Sequence, residues 1–160
     1  MAISVGDKIP SATIMLATKN GPEQADAAAF LGEGKVALFS VPGAFTPTCS
    51  AQHLPGYVEQ AGALKAKGVD KIVCMSVNDA FVMNAWGDSQ NAGDAVAFLA
   101  DGNGDFSRAL GLTFDGSGFG MGERGQRFSA VLNNGVVEQL NLEAPGAFEV
   151  SSAEHMLGQL

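Results

Sequence analysis

The stretch Val36-Ala37-Leu38-Phe39-Ser40-Val41-Pro42-Gly43-Ala44-Phe45-Thr46-Pro47-Thr48-Cys49-Ser50 constrains this chain more than any other. It opens as an apolar run long enough for a buried strand and breaks at Pro42-Gly43. It then re-enters order at Thr46-Pro47, an N-cap followed by proline at the first helical position. Cys49 therefore falls in the first turn of a helix, where unpaired N–H groups and the positive end of the dipole favour an anion. A thiol placed there ionises more readily than a free one. A strand, a loop and a helix carrying cysteine at its N-terminus read as a thiol active site. The competing reading is a buried structural cysteine, the common state of a free thiol; it leaves the Thr46-Pro47-Thr48 cap unexplained.

With 160 residues and 46% apolar content, the chain is expected to form one domain spanning residues 1–160, with a core that needs no metal or disulfide staples. The net charge of −8 and the scattered lysines and arginines lack the basic stripe that nucleic acid requires. The N-terminus has neither the basic nor the apolar region of a signal peptide, and no run approaches membrane-spanning length. A cytoplasmic protein without membrane attachment is expected. Two cysteines in a reducing compartment are catalytic, redox-active or buried rather than a disulfide framework.

Along the chain, Ile14 to Ala17 and the Asn20-Gly21-Pro22 turn signal an N-terminal β-hairpin. Ala25 to Leu31 predicts a short helix, and Val36 to Val41 the first core strand. From Thr46, apolar residues recur at helical spacing to Gly68, with Pro55 inside the pattern, so a long helix kinked around Gln52 to Pro55 is expected. Ile72 to Val77 reads as a strand covered on both faces. Asn78 is read as the cap of a helix carrying Phe81, Val82, Ala85 and Trp86. Ala95 to Ala100 is a third core strand, followed by a short helix through Leu110. Asp101-Gly102-Asn103-Gly104-Asp105 has the flavour of a calcium loop, but Leu112 stands where the twelfth-position glutamate belongs, and no metal is assigned. Arg127 to Leu132, the Asn133-Asn134-Gly135 turn and Val136 to Leu142 make a β-hairpin, and Ser151 with Glu154 a capping box for a last helix. The order implies an α/β fold, a mixed sheet between helices with the cysteine at a strand's carboxyl end. No Cys-x-x-Cys occurs, which disfavours a general dithiol oxidoreductase.

Pro42-Gly43-Ala44-Phe45-Thr46-Pro47-Thr48-Cys49-Ser50 resembles the peroxidatic loop of the peroxiredoxins, in particular their type II (Prx5) branch. Gln52 to Tyr57, Cys74 to Met83, Ala85-Trp86 and Arg124-Gly125-Gln126-Arg127-Phe128-Ser129 agree in the same order, so the resemblance runs through nearly the whole chain. It implies a thioredoxin-like fold and a thiol-dependent peroxidase acting on hydrogen peroxide and organic hydroperoxides without a cofactor. The implied reductant is glutaredoxin with glutathione, or thioredoxin, and a homodimer is implied through loop aromatics near the site. The aromatics Phe45, Phe81, Trp86, Phe114 and Phe119 are otherwise core candidates.

The chemistry makes two demands. At pH 7 a thiol with pKa near 8.5 is about 3% thiolate, so ionisation alone gains at most roughly 30-fold. Donors aimed at the peroxide oxygens in the transition state matter more, each worth about 3 kcal/mol. Thr46 and the first helical N–H groups supply some of these. The resemblance gives the remaining roles to Pro42, as a shield from water, and to Arg127, the arginine directly preceding Phe-Ser. Arg124 is the competing arginine, with an assisting role in reserve. His53, one turn after Cys49, is either an imidazolium that stabilises the thiolate or, preferred here, a surface or interface histidine near the kink. Cys74 has the marks of an inert core thiol; in the resembling plant enzymes the second cysteine stands in this Cys-x-Ser-Val-Asn context, making it a possible resolving cysteine. The C-terminal resolving cysteine of animal members is missing, since Phe148 to Ser152 contains none. A peroxide sensor sharing the site, or a structural oligomer in which Cys49 is incidental, are the readings from other classes.

Overall fold

The computed structural model describes residues 2–160. An antiparallel hairpin opens the fold, β1 (Thr13–Thr18) and β2 (Gly21–Asp26), with Thr18 opposite Gly21. Asp26 then caps the four-residue α1 (Ala27–Phe30), its carboxylate accepting from Ala29 N. β3 (Lys35–Ser40) and β4 (Lys71–Ser76) run parallel in the middle of the sheet, Phe39 opposite Cys74. Five of six residues in each are buried, as expected of strands covered on both faces.

Between them lies the expected interrupted helix, but its irregularity takes another form than a simple proline kink. Helical backbone begins at Pro47, becomes a π-turn over Cys49–His53, and continues as α2 (Leu54–Glu59) and α3 (Ala61–Ala66) with a second break at Gln60. Leu54 N–H reaches back five residues to Cys49 O. Pro55 has no N–H to give, and the wider turn accommodates the missing bond without bending the helix apart.

The helix after β4 is α4 (Ala80–Ser89), and its N-cap is Asp79, whose carboxylate accepts from Val82 N, rather than Asn78. β5 (Ala97–Ala100) follows, parallel to β4 and antiparallel to β1. The acidic glycine-rich run serves α5 (Asp105–Leu110): the buried Asp101 carboxylate accepts from Phe106 N, Ser107 N and Ser107 Oγ. A small two-stranded sheet, β6 (Thr113–Asp115) with β7 (Glu123–Gly125), was not signalled by the sequence pattern. β8 (Phe128–Asn133) and β9 (Val136–Leu142) form the last hairpin, with Asn134 and Gly135 both at positive φ as a tight two-residue turn requires. The last helix, α6 (Ala153–Gln159), is capped by Ser152 through His155 N, one residue later than expected.

The seven strands stand in the order β2-β1-β5-β4-β3-β8-β9, a mixed sheet. Its two faces carry separate apolar clusters. One holds Phe39, Cys49, Leu54, Tyr57, Cys74, Trp86 and Met156; the other Leu38, Val73, Leu99, Phe106 and Phe128. Trp86 is buried as expected and Phe114 is half-buried, whereas Phe45, Phe81 and Phe119 are 56%, 72% and 84% exposed and belong to no core.

Candidate active site

β3 delivers the chain to the reactive loop at the carboxyl end of the sheet. Pro42 and Thr46 are half-buried and Cys49 is fully buried beneath them. The loop turns through Phe45, a bulky residue at φ 64°, a left-handed conformation that costs energy and is tolerated where the surroundings fix it. Those surroundings are identifiable. Ala44 N donates to Asn78 Oδ1 at 2.9 Å, and Ser76 Oγ to the same oxygen at 2.6 Å. Arg124 Nη1 donates to Pro42 O at 3.1 Å and its Nε to Met121 O at 3.0 Å. Gly43 leaves room for this arginine: a Cβ there would lie 2.7 Å from Arg124 Nη1 and 3.1 Å from Thr46 Cγ2, so a larger residue would push the guanidinium off Pro42 O.

Thr46 immediately precedes the helix, and its hydroxyl donates to Gly43 O at 2.7 Å. With its hydrogen committed, the Thr46 oxygen is left as an acceptor only. The first amide of the helix with an intrahelical partner is Ser50, which donates to Thr46 O at 2.9 Å. The amides of Thr48 and Cys49 are free donors among the described residues, as at any helix start. Trp86 Nε1 donates to Ser50 Oγ at 2.9 Å and ties this turn to α4.

Of the two arginines, Arg127 reaches the thiol. Its Nη2 lies 3.1 Å from Cys49 Sγ and its Nη1 lies 2.8 Å from His53 Nδ1. Arg124 holds the backbone of the reactive loop instead. His53 is neither a surface residue nor an imidazolium: it is fully buried, and burial together with the Arg127 charge lowers its pKa to about 3. Its Nε2 meets Ser151 O at 2.9 Å, which also accepts from Tyr57 OH at 2.9 Å. Tyr57 stacks on Phe39, ring centroids 3.9 Å apart, and forms the floor under His53.

Cys74 is fully buried and free, as is Cys49. Burial, then the charge on Cys49, push the Cys74 thiol well above its ordinary pKa, with Arg127 opposing. Among the described residues no three His, Cys, Asp or Glu side chains gather as a metal site requires.

Sequence reasoning missed Asn78, Ser151, Tyr57, Phe148 and Glu143 as parts of this site. Asn78 carried a signal, since its amide is superfluous as a cap beside Asp79. Ser151 carried a misleading one: in place of capping α6 it gives its hydroxyl to Glu143 Oε2 and its carbonyl to His53.

Comparison with known proteins agrees with this geometry. The Redoxin family model matches residues 4–157. Chloroplastic peroxiredoxin-2E-2 of Oryza sativa subsp. japonica is 53% identical over 99% of this chain and 72% of its own. Peroxiredoxin-2B of Arabidopsis thaliana is 47% identical over 99% and 98%. Reduced Prx3 from Vibrio vulnificus, solved in complex with hydrogen peroxide, superposes with a TM-score of 0.94 at 52% identity, covering 98% of each chain. A buried cysteine faced by an arginine at a helix start, on a thioredoxin-like sheet and with relatives this similar end to end, places the chain among the peroxiredoxins, the thiol-dependent peroxidases of the redoxin family.

Proposed function

We propose that Cys49 is the peroxidatic nucleophile and that Pro42, Thr46 and Arg127 build the pocket in which it meets peroxide. The observation that carries this reading is the 3.1 Å approach of Arg127 Nη2 to Cys49 Sγ below the Pro42 to Thr46 loop. The sulfur attacks one peroxide oxygen as thiolate and the O–O bond breaks. Its electron pair leaves on the other oxygen, which takes a proton and departs as water or alcohol. The sulfur, oxidised by two electrons, becomes sulfenic acid. Negative charge moves from sulfur toward the departing oxygen, so fixed donors are worth most where that oxygen ends up. Arg127 and the free amides of Thr48 and Cys49 are such donors, while the Thr46 oxygen accepts the peroxide hydrogen and orients it.

Regeneration takes two thiols: the first condenses with the sulfenic acid and releases water, the second displaces Cys49 as thiol. Cys74 is poorly suited to the first step because its raised pKa keeps it protonated and its strand holds it. An external thiol, glutaredoxin with glutathione or thioredoxin, is the reductant in this reading. Since Cys49 is fully buried, a protein thiol reaches it only after the π-turn opens. The protein acts as a homodimer. What supports this is that the exposed Phe45, Phe81 and Phe119 sit in or beside segments bonded to the reactive loop, through Asn78 for Phe81 and through Arg124 and Met121 for Phe119.

Peroxide consumption coupled to glutathione reductase or to thioredoxin reductase tests the reading. Turnover in at least one arm that scales with enzyme supports it; no turnover with either thiol system, on protein whose Cys49 is reduced, contradicts it.

A further inference from the structure

A closed ring of hydrogen bonds passes through Arg127 and returns to it. Glu143 N donates to Arg127 O at 3.1 Å, fixing the backbone where the chain enters β8. At the other end of Glu143, Oε2 accepts from Ser151 N at 2.8 Å, Ser151 Oγ at 2.6 Å and Val150 N at 2.9 Å; Glu149 N lies within 3.0 Å of both carboxylate oxygens. Ser151 O accepts from His53 Nε2, and His53 Nδ1 accepts from Arg127 Nη1. Glu143 thus bridges the main chain of the arginine and the support of its guanidinium. The same connection carries Phe148, whose ring centroid lies 5.0 Å from that of His53 and 5.8 Å from Arg127 Cζ.

Nothing in the proposed chemistry uses this buried carboxylate, and the cap of α6 does not need it, since Ser152 performs that task. Three consecutive amides and a hydroxyl converging on one ionised group form a strong tie for an irregular segment. Without it, those buried donors lose their partner and the segment loses its reason to lie against His53.

We propose that Glu143 is a positioning residue of the peroxidase: it holds residues 143–152 over His53 so that Arg127 is fixed at both ends and its Nη2 is aimed at Cys49 Sγ. This rests on the reading of Cys49 and Arg127 as the reacting pair. A long arginine side chain has several rotatable bonds, and misplacing a catalytic donor by an ångström costs on the order of tenfold to a hundredfold in rate.

The test is a double-mutant cycle on the second-order rate of Cys49 oxidation by hydrogen peroxide, followed by stopped flow. Glu143→Gln, which presents an NH2 group where an acceptor is needed, is expected to lower the rate about tenfold in the wild type but less than twofold in the Arg127→Gln background. A merely structural loss would take the same factor in both. In parallel, the His53 Nε2–H resonance, hidden from water in the wild type, is expected to broaden or exchange in Glu143→Gln. If that variant does not fold, Ser151→Ala, which removes one donor to Oε2, enters the same cycle with an expected loss of about threefold. Wild-type rates in the variant that folds, or equal losses in both backgrounds, overturn the inference. A wild type that does not oxidise at Cys49 overturns the underlying reading and the inference with it.

Discussion

Arg127 Nη1 lies 2.8 Å from His53 Nδ1, and that single hydrogen bond assigns the proton on the imidazole. A guanidinium only donates, so Nδ1 presents its lone pair; Ser151 O only accepts, so Nε2 carries the hydrogen. His53 is therefore neutral: it is bonded to the arginine and adds no charge beside the sulfur.

The pH dependence of stability follows from this. Unfolded, His53 titrates near 6.5; folded, burial and the Arg127 charge hold it to about 3, with the Ser151 carbonyl and Glu143 pulling weakly the other way. Between these values the unfolded chain binds the extra proton, so stability is fully present above 6.5 and falls as the pH drops toward 3. The limiting slope is about 1.4 kcal/mol per pH unit. Urea unfolding at pH 7.5 and 5.5 is expected to cost the wild type about 1 kcal/mol more than His53→Gln, the carboxylate contribution cancelling between them. Identical losses would show that His53 is not buried neutral.

The two arginines separate by contact, Arg127 on Cys49 Sγ and Arg124 on Pro42 O. Arg127→Gln removes the donor at the sulfur and is expected to slow thiol oxidation by about two orders of magnitude or more. Arg124→Gln removes a hydrogen bond to Pro42 O, loosening the loop without touching the sulfur, and is expected to cost tenfold or less. Stopped-flow oxidation of both variants checks this, and a larger loss for Arg124→Gln would reverse the assignment.

Cys74 is expected to be dispensable with an external thiol. Cys74→Ser should retain most of the steady-state turnover supported by glutaredoxin and glutathione, because the thiol it loses is buried, protonated and held in β4 opposite Phe39. Direct disulfide formation requires α-carbons roughly 4.4–6.8 Å apart and an unwound first turn at Cys49. Rapid, complete Cys49–Cys74 disulfide in wild-type protein after one equivalent of peroxide, with loss of turnover in the variant, would make Cys74 a resolving cysteine.

What could be read from the residues divides along sequence separation. The reactive loop was legible because its signals are local: strand, Pro-Gly break, threonine, proline and cysteine lie within fifteen consecutive residues. The order of strands and helices was legible for the same reason, through hydrophobic period and turn chemistry. Arg127 was legible only through a family motif, since the partner that explains it lies 78 residues away. The state of His53 was not legible at all, because it is set by Arg127 and Ser151, 74 and 98 residues distant. Where two good caps stand side by side, as Asn78 with Asp79 or Ser151 with Ser152, local rules do not choose; in both pairs the first residue is taken by a tertiary contact and the second caps the helix. The disturbance at Pro55 was readable, but not that a π-turn would absorb it.

The most direct test of the central claim is a single-turnover oxidation with one equivalent of hydrogen peroxide, trapped with a sulfenic-acid reagent and mapped by mass spectrometry, on the wild type and on Cys49→Ser. The serine hydroxyl keeps the volume but does not ionise near neutral pH, so the fold is expected to persist while peroxide consumption disappears. The predicted result is a trapped adduct at Cys49 in the wild type and none in the variant, with Cys74 unmodified in both. Peroxide consumption by Cys49→Ser above a small fraction of the wild-type rate, or an adduct that forms first on Cys74, would contradict it.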